Sequence, residues 1–370
     1  MDDSHRYEIG LAIAFDEHPA EARLMLEQFG TAEAIFRESH LEQITGLRQS
    51  SLEKIQSGKA LQRADEEIMT LEKKHIRAIY LDNPEYPFRL KSCQDAPIVL
   101  YSLGSSNLNA KKILSIVGTR KATSNGRHTA ENLVHDLALM FPDLIIVSGL
   151  AYGIDISAQK SALENNLNTV AVLAHGMHEI YPAMHRKYAL DIIKNGSLIT
   201  ELTYGTPSEK RQFLRRNRIV AGICDACIVV ETAESGGSLN TARTAFGYGR
   251  DVFAFPGRPT DERSKGCNMI IKNLIAGLVE SAEDIAKCMN WDIPTPGKTL
   301  QQCLFPDLNT LQQTIYDSME AGEKYSSEEI GIKNNISIAD ALSNMMILEM
   351  ADLVESLPGS LYTKRRIRVS

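Results

Sequence analysis

Between residues 111 and 290 the chain alternates continuous apolar runs with amphipathic stretches, most of them about 10 to 15 residues long. Six apolar runs rich in β-branched residues occupy positions 113–118, 144–149, 168–176, 197–202, 227–231 and 251–257. Strands that are apolar throughout are typical of a parallel sheet covered by helices on both faces. The pattern therefore predicts a doubly wound, Rossmann-like α/β domain with six parallel strands.

Residues 1–75 instead show helical periodicity. Within them, "ITGLRQSSLEKI" places a Gly46-Leu47 turn before Leu52 and Ile55, which follow at helical spacing. Two interpretations stay open for this turn. It is either a helix-hairpin-helix turn whose backbone amides hold a phosphate, or a plain turn between helices.

The C-terminal part of the chain has a different pattern. Residues 291–308 have three prolines and little periodicity, which predicts a linker. Residues 309–370 contain three helical patterns followed by two short strands around a Pro-Gly turn, which predicts a winged helix. Residues 76–110 end in a strand-like run and are grouped with the sheet. The predicted regions are a helical domain (1–75), an α/β domain (76–290), a linker (291–308) and a winged helix (309–370).

Composition narrows the possible function only slightly. The 370 residues carry a formal net charge of −7, which excludes a uniformly basic protein but not a local basic patch that binds nucleic acid. No apolar run approaches the roughly 18 residues of a membrane span. The N-terminus lacks the basic-then-apolar layout of a signal peptide. We therefore expect a cytoplasmic protein without a membrane partner.

Six cysteines in a chain of this size indicate reduced thiols, not a disulfide framework. Cys224 and Cys227 form a lone C-x-x-C without two further ligands nearby, so we predict that both are small core residues. His175 and His178 also lack a carboxylate or cysteine partner in the sequence. No metal site is predicted.

Small residues recur where the predicted strands end, and this edge is where doubly wound sheets bind ligands. Such residues let backbone N–H groups approach an anion closely. The Ser-Gly-Gly-Ser run could instead be a helix N-cap with a tight turn. The predicted anion-binding positions are Gly118, Thr119 and Arg120 after the first strand, Ser148, Gly149 and Gly153 after the second, and Ser235, Gly236, Gly237 and Ser238 after the fifth.

Two common nucleotide motifs are absent from these loops. The residues after Gly118 do not form G-x-G-x-x-G, no acidic residue ends the second strand, and no Walker A motif occurs. We therefore predict neither NAD nor ATP, and no other cofactor. Arg120 offers a planar guanidinium suited to a pair of phosphate oxygens.

The most unusual local composition is "KRQFLRRNRIVAG", residues 210–222. One interpretation is an ordinary solvated helix surface. The other is a surface for single-stranded nucleic acid, in which basic side chains follow the phosphates and Phe213 stacks on a base. Its position beside the edge that carries Arg120 favours the second. The basic residues are Lys210, Arg211, Arg215, Arg216 and Arg218, and positions 211, 215 and 218 share one helical face.

The sequence offers few candidates for catalysis. Asp155, Glu201 and Glu231 lie near the strand ends, but Asp155 could cap a helix and Glu231 could hold a loop amide. No Ser-His-Asp order is evident. We therefore predict binding without turnover and name no catalytic residue.

Several long, ordered motifs resemble the DNA-processing protein A (DprA/Smf) family: "SIVGTR", "SNGR", "IIVSGLAYGID", "AVLAHGMHEIYP", "FLRRNRIVAGICDACIVVETAESGGSLNTARTAFGYGRDVFAFPG" and "GCNMIIK". The resemblance implies an extended Rossmann fold, flanked by a helical SAM or helix-hairpin-helix-like domain and a winged helix. It also implies a homodimer that binds single-stranded DNA and loads the RecA recombinase during natural transformation, without enzymatic activity.

Matching the family's motifs residue by residue implies a set of phosphate-contacting and pocket positions. They are Gly118 and Arg120, the group Phe213, Arg216, Asn217 and Arg218, the loop from Ser235 to Ser238, and the run Gly266, Asn268 and Lys272. The chain departs from the family at Leu214, where proline is frequent, and at Gln159, where histidine is usual. "SGGSLNTA" also replaces the common "SGSLITA".

Two other functions compete with this one. A nucleotide phosphoribohydrolase of the lysine-decarboxylase-like (LOG) family has a similar core, but "SGGSLNTA" does not reproduce its "PGGxGT" loop. A regulator that binds duplex DNA would act through the winged helix. The candidate recognition helix there carries Asp340 and Glu349 but no lysine or arginine, which favours a protein-interaction or regulatory module.

Overall fold

A nine-stranded sheet organises the chain from residue 77 to residue 278. The computed structural model describes residues 3–16, 18–43, 47–292, 308–320, 323–350, 353–357 and 361–364. The strands of the sheet are β1 (Arg77–Tyr80), β2 (Val99–Gly104), β3 (Ile113–Val117), β4 (Ile145–Ser148), β5 (Asn168–Val172), β6 (Ser197–Thr200), β7 (Ala226–Val229), β8 (Asp251–Ala254) and β9 (Gly277–Leu278). Their order across the sheet is β1-β2-β6-β5-β4-β3-β7-β8-β9.

The six predicted strands are confirmed as β3 to β8, and every pairing among them is parallel. The strand-like run predicted before residue 110 is confirmed as β2, while β1 and β9 extend the sheet beyond the prediction. β2 pairs antiparallel with β6 and with β1, and β9 pairs parallel with β8. The expected doubly wound α/β fold is therefore present in an extended form.

Helices cover both faces of this sheet, which explains why its central strands are apolar throughout. Every residue of β3, β4 and β7 is buried. The helices packed on one face are α6 (Phe88–Lys91), α10 (Lys210–Gly222), α11 (Ser238–Gly247) and α12 (Lys265–Lys272). On the other face lie α7 (Ser124–Met140), α8 (Ile154–Glu164) and α13 (Ala282–Cys288), while α9 (Arg186–Asn195) packs beside β5 and β6.

Among the described residues before the sheet there are five α-helices and a short 3-10 helix (Leu41–Gln43), in agreement with the predicted helical region. The α-helices are α1 (Asp3–Ala14), α2 (Pro19–Phe29), α3 (Ala32–Arg37), α4 (Gln49–Gln56) and α5 (Lys59–Lys74). Their apolar side chains form one core with Ile98, Val99 and Tyr101 at β2. The described residues up to Asp292 thus form a single compact unit. Gly46, on which the helix-hairpin-helix interpretation depends, lies outside the described residues, so that interpretation stays a prediction.

The second compact unit follows residue 293 and has a core of its own. Its described residues form three helices and a three-stranded antiparallel sheet in which β12 lies between the other two strands. The assignment of this unit as a winged helix stays a prediction, as do the proposed domain boundaries. Its elements are α14 (Thr310–Ser318), β10 (Lys324–Ser326), α15 (Ser327–Asn334), α16 (Ile338–Met350), β11 (Val354–Leu357) and β12 (Leu361–Lys364).

Candidate nucleic-acid interface

The direction of strand progression reverses between β3 and β7, and a cavity of 390 Å³ opens above their carboxyl ends. Such a reversal leaves a crevice, because the loops after the two strands turn towards opposite faces of the sheet. We call this space the switch-point cavity. Its lining includes nine of the predicted site residues: Gly118, Thr119, Arg120, Phe213, Arg216, Asn217, Gly236, Gly237 and Ser238.

Helix α10 forms one wall of the switch-point cavity. A capping box fixes its start, because the Glu209 side chain accepts from the backbone of Gln212 and the Gln212 side chain accepts from that of Glu209. Phe213, Arg216 and Asn217 are three and four residues apart, so they share the face that lines the cavity. The C-terminal turn of α10 carries the apolar side chains of Ile219, Val220 and Ala221 into the core.

Arg120 stands at the entrance with its guanidinium over the ring of Phe213, and 4.7 Å separates its Cζ from the ring centroid. This cation–π contact holds the side chain in place while leaving it exposed. The ring of Tyr181 packs against Phe213 from the loop after β5, with 5.4 Å between the two centroids. Arg120 is thus a positioned cation at the mouth of the cavity.

Arg216 forms part of the cavity floor and is buried. Its guanidinium donates to the carbonyl oxygens of Gly149 and Val172, which joins the ends of β4 and β5. Burial lowers the pKa of Arg216 to about 10, and Arg120 acts in the same direction while Asp155 opposes it. A pKa of about 10 still leaves the Arg216 guanidinium charged at neutral pH, next to the Asp155 carboxyl that also lines the cavity.

Asp155 lies beside Arg216, and its Oδ2 accepts the N–H of Gly149 at 3.1 Å. Burial raises the pKa of this carboxyl, while Arg216 and the N–H groups of Gly149 and Ala151 oppose the shift. It lies in the first turn of α8, whose N-cap is Gly153, so it holds a loop and is not the cap residue.

Glycines are required where the loops of the cavity approach each other. Gly153 has a φ of 78°, and a β-carbon there would overlap the carbonyl oxygen of Thr119. At Gly118 a β-carbon would overlap the side chain of Ile154. Both positions therefore have a packing role beside any phosphate contact.

The loop after β7 leads into α11 at the cavity. Within the described residues, no protein acceptor pairs with the backbone N–H of Gly237 or of Ser238, so both amides can serve an anion. The Ser238 hydroxyl donates to Thr232 Oγ1 at 2.7 Å, which fixes the turn. Ser235 is exposed and is not among the residues that line the cavity.

Glu231, at the end of β7, connects the loops on the two sides of the cavity. Its carbonyl oxygen accepts the N–H of Thr119 at 2.7 Å, and its carboxylate accepts the N–H of Thr123 at 2.8 Å. The hypothesis that Glu231 holds a loop amide is confirmed, and the carboxylate is buried in that role.

Arg215 and Arg218 do not line the cavity, although the sequence placed them on the same basic helix. Both make an ion pair with Glu201, which is largely buried, and Arg215 Nη1 also lies 3.1 Å from Asp16 Oδ1 of the N-terminal helical region. The carboxylate draws these arginines away from α10's cavity face, because a buried charge is stable only when it is paired. The basic residues of α10 therefore form two groups. Arg215 and Arg218 belong to an ion-pair network with Glu201, whereas Lys210 and Arg216 line the cavity.

Ser148 and Gly149 support the residues that form the cavity floor. The Ser148 hydroxyl is buried and donates to the carbonyl oxygen of Ile116 at 2.6 Å, so it joins β4 to β3. Gly149 is occupied by its contacts with Asp155 and Arg216. Neither residue lines the cavity.

The three positions on α12 also lie apart from the switch-point cavity. Asn268 and Lys272 line a separate depression of 270 Å³, together with Glu234. The Asn268 side chain bonds both the N–H and the carbonyl oxygen of Gly257. Gly266 donates its N–H to the Thr232 carbonyl oxygen, and a β-carbon there would overlap the backbone of Ala233.

Sequence reasoning left some residues of the cavity off the list of sites. Lys210, exposed at the start of α10, and Leu214 and Thr241 all contribute to its lining. In the sequence Lys210 belongs to the basic run of residues 210–222, and no ligand contact is predicted for it individually. Tyr181, which contacts Phe213 of the cavity, belongs to the motif "AVLAHGMHEIYP", but no role is predicted for it.

Other sequence predictions concern the remainder of the molecule. Cys224 and Cys227 are buried core residues, as predicted, and burial raises the pKa of both thiols. No cluster of three His, Cys, Asp or Glu side chains able to hold a metal occurs among the described residues. Within the same residues, no helix is long and apolar enough to span a membrane.

Comparison with known proteins gives a consistent result. The family model described as DNA recombination-mediator protein A matches residues 77–290. A putative DNA processing protein DprA of Mycobacterium tuberculosis is 34% identical over 318 residues, covering 81% of this chain and 80% of that one. The structure of DprA from Streptococcus pneumoniae superposes with a TM-score of 0.65 at 30% identity, covering 76% of this chain and 97% of that one.

A second similar structure is that of DNA processing protein A from Helicobacter pylori, reported for its single-stranded DNA binding mode. It matches with a TM-score of 0.52 at 26% identity, covering 58% of this chain and 95% of that one. The family model covers more than half of this sequence, and the M. tuberculosis and S. pneumoniae DprA proteins are 34% and 30% identical to it. This chain belongs to the DNA recombination-mediator protein A family.

Proposed function

We propose that this protein binds single-stranded DNA at the switch-point cavity. The observation that carries the proposal is the convergence of three cationic side chains and two backbone amides on one cavity, the amides having no protein acceptor in the part of the chain that the structure describes. These groups are Arg120, Lys210, Arg216, and the N–H groups of Gly237 and Ser238. Side-chain cations together with backbone amides are suited to phosphate oxygens. The H. pylori relative, described by its single-stranded DNA binding mode, supports the same ligand.

A polymer suits this cavity better than a small nucleotide. Arg120 and Lys210 are exposed at its entrance, whereas Arg216 lies buried at its floor, so the positive charge extends outwards from the sheet. Phe213 contributes an aromatic surface between them. Binding along a strand is served by several cations with an aromatic side chain among them, because each nucleotide of the strand carries one phosphate and one base.

We distinguish residues proposed to contact DNA directly from residues that support or flank those contacts. The lining residues of the switch-point cavity are the direct contacts. Arg215, Arg218, Ser148, Gly149, Gly153 and Gly266 support those contacts through structure, while Ser235, Asn268 and Lys272 lie where a longer strand would leave the cavity beside Glu234.

We propose binding without turnover. The three carboxylates near the strand ends already have partners: Asp155 with Gly149 and Arg216, Glu201 with two arginines, and Glu231 with two loop amides. A general base needs a carboxylate that can reach its substrate. This protein's proposed action is to protect the strand and present it to a recombinase, RecA, as a homodimer in transformation and recombination. Family membership supports this part.

The test is the salt dependence of binding to a labelled single-stranded oligonucleotide. Arg120→Ala should weaken binding and reduce the slope of log K against log salt by about 0.7, the value for one phosphate contact on a single strand. Arg37→Ala is a matched control, because Arg37 is an exposed arginine on α3. Equal behaviour of the two variants would reject the site.

Two further measurements separate the remaining parts of the proposal. Light scattering reports whether the full chain is a dimer, and RecA assembly on oligonucleotides covered by this protein reports whether it presents the strand. Release of free base from a nucleoside monophosphate would instead support the phosphoribohydrolase alternative.

A further inference from the structure

A cavity of 130 Å³ lies between the N-terminal helices and the sheet, and it shares no lining residue with the switch-point cavity. We call it the helix–sheet cavity. Its helical side is formed by the end of α1 and by α4 and α5, and its other side by β2 and the segment after β6. The polar residues of the lining are Asp16, Lys54, Arg63, Tyr101, Glu201 and Thr203.

The hydroxyl group of Tyr101 is a buried donor that lacks an acceptor. Tyr101 is only 2% exposed, and its hydroxyl oxygen has no hydrogen-bond partner in the part of the chain that the structure describes. Burial raises the pKa of this hydroxyl, so it keeps its proton and can donate. Because buried polar groups are nearly always paired, an unpaired hydroxyl in the wall of a cavity indicates a ligand that accepts from it.

Both carboxylates of the lining are already neutralised by arginines. Glu201 pairs with Arg215, at 3.1 Å, and also with Arg218. Asp16 lies 3.1 Å from Nη1 of Arg215. Two carboxylates therefore share two guanidinium groups, and neither of them adds a free negative charge to the cavity.

The two cations of the lining are not neutralised to the same degree. Nζ of Lys54 donates to the carbonyl oxygen of Ile13 at 3.3 Å, and this acceptor carries no formal charge. Arg63 lies 3.6 Å from Glu66, and both side chains are 54% exposed, so their attraction is weakened by solvent. The helix–sheet cavity consequently has an excess of positive charge beside an unpaired donor.

We propose that the helix–sheet cavity binds a small tetrahedral oxyanion, inorganic phosphate, between Lys54, Arg63 and the hydroxyl group of Tyr101. A water molecule occupies about 30 Å³ of liquid, so a cavity of 130 Å³ has room for such an ion but not for a nucleotide. The ion would join α4 and α5 to β2. This site goes beyond the proposed function and does not depend on DNA binding.

The chain offers a matched control for each part of the site. Tyr80 is 4% exposed, and its hydroxyl oxygen is likewise buried without a partner among the described residues, but Tyr80 does not line the cavity. Arg37 is an exposed arginine that pairs with a glutamate of its own helix, as Arg63 does, and it also lies outside the lining.

The experiment is calorimetric titration of the full chain with sodium phosphate at constant ionic strength. Every protein carries Arg120→Ala, which removes an exposed cation of the switch-point cavity and so reduces phosphate binding there. Added to this parent, Tyr101→Phe should weaken phosphate binding by about tenfold or more, because a charged acceptor loses its donor. Arg63→Gln should weaken it by about threefold or more. Tyr80→Phe and Arg37→Gln should leave the affinity unchanged.

Thermal unfolding in phosphate-free buffer gives an independent readout. The unfolding temperature of Tyr101→Phe should be no lower than that of the parent, because the hydroxyl group makes no hydrogen bond there. A lower temperature would reveal an internal partner and overturn the proposal. So would a parent that binds no phosphate, or equal losses of phosphate affinity in Tyr101→Phe and Tyr80→Phe.

Discussion

Nη1 of Arg216 donates a hydrogen bond to the carbonyl oxygen of Gly149, and 2.7 Å separates the two atoms. A β-carbon at position 149 would overlap this guanidinium. The glycine and the arginine therefore depend on each other, and the floor of the switch-point cavity depends on both.

Gly149→Ala should lower the free energy of unfolding by about 1–3 kcal/mol, because an added methyl group must displace a buried guanidinium. Gly237→Ala is the control, since no atom lies within 4 Å of a β-carbon at position 237. Its effect should stay within about 1 kcal/mol. Urea unfolding of the two variants measures the difference, and equal losses would contradict the packing argument.

Glu201→Gln should destabilise the protein by about 3–5 kcal/mol, because two largely buried arginines lose their shared counter-charge. Asp16→Asn removes a half-exposed partner of Arg215 and should cost at most about 1 kcal/mol. Chemical denaturation checks the order of these effects. A stable Glu201→Gln protein with native unfolding energy would show that the network does not hold α10.

Residual folded Glu201→Gln protein offers a second readout. Because Arg215 and Arg218 do not line the cavity, the variant should bind single strands with an unchanged salt slope. A steeper slope would mean that an arginine released from Glu201 contacts phosphate directly.

His175 should make stability fall with acidification. Burial lowers the pKa of His175 below its ordinary 6.5, while the carbonyl oxygen of Gly176 and Glu179 oppose the shift. The neutral ring accepts the Tyr181 N–H at Nε2, which a protonated ring cannot do. Below pH 6.5 the unfolded chain binds more protons than the folded one, so stability is lost as pH decreases, by at most about 1.4 kcal/mol per unit.

The measurement is the unfolding free energy of wild type and His175→Asn between about pH 7.5 and 5.5. The wild-type protein should lose more stability over this interval than the variant. If both proteins lost the same unfolding free energy over this interval, His175 would not be the cause of the loss of stability in acid.

Removal of residues 293–370 should leave the affinity for single-stranded oligonucleotides unchanged. The residues that line the switch-point cavity all belong to the first compact unit, and α16 has no lysine or arginine to contribute. An oligonucleotide-length series on the full and shortened chains tests this. Lost affinity at longer lengths only would indicate a contact made by the second unit.

The sequence was informative about the central sheet because each central strand is buried on both faces, which leaves an apolar run that needs no neighbour to be recognised. The strands at the two edges of the sheet lack such a continuous apolar run. β1 is buried only at its second half, and β9 is two exposed residues, so neither has a pattern of its own. Both are strands because a neighbouring strand supplies hydrogen bonds.

The same distinction applies to the candidate site. Loops at the ends of β3 and β7 could be placed beside each other from the strand pattern, and Gly118, Arg120 and Gly237 lie together as predicted. The orientation of Arg215 and Arg218 could not be derived in this way. Their side chains follow Glu201, which is brought to α10 by the tertiary structure from the end of β6.

Glu231 fixes the loops after β3 and β7 to each other through its carbonyl oxygen and its carboxylate. The two sides of the cavity are therefore ordered before any ligand arrives, and little conformational entropy remains to be lost there on association. Recognition at this edge of the sheet should accordingly resemble docking onto a rigid template, with most of the ordering confined to the DNA strand.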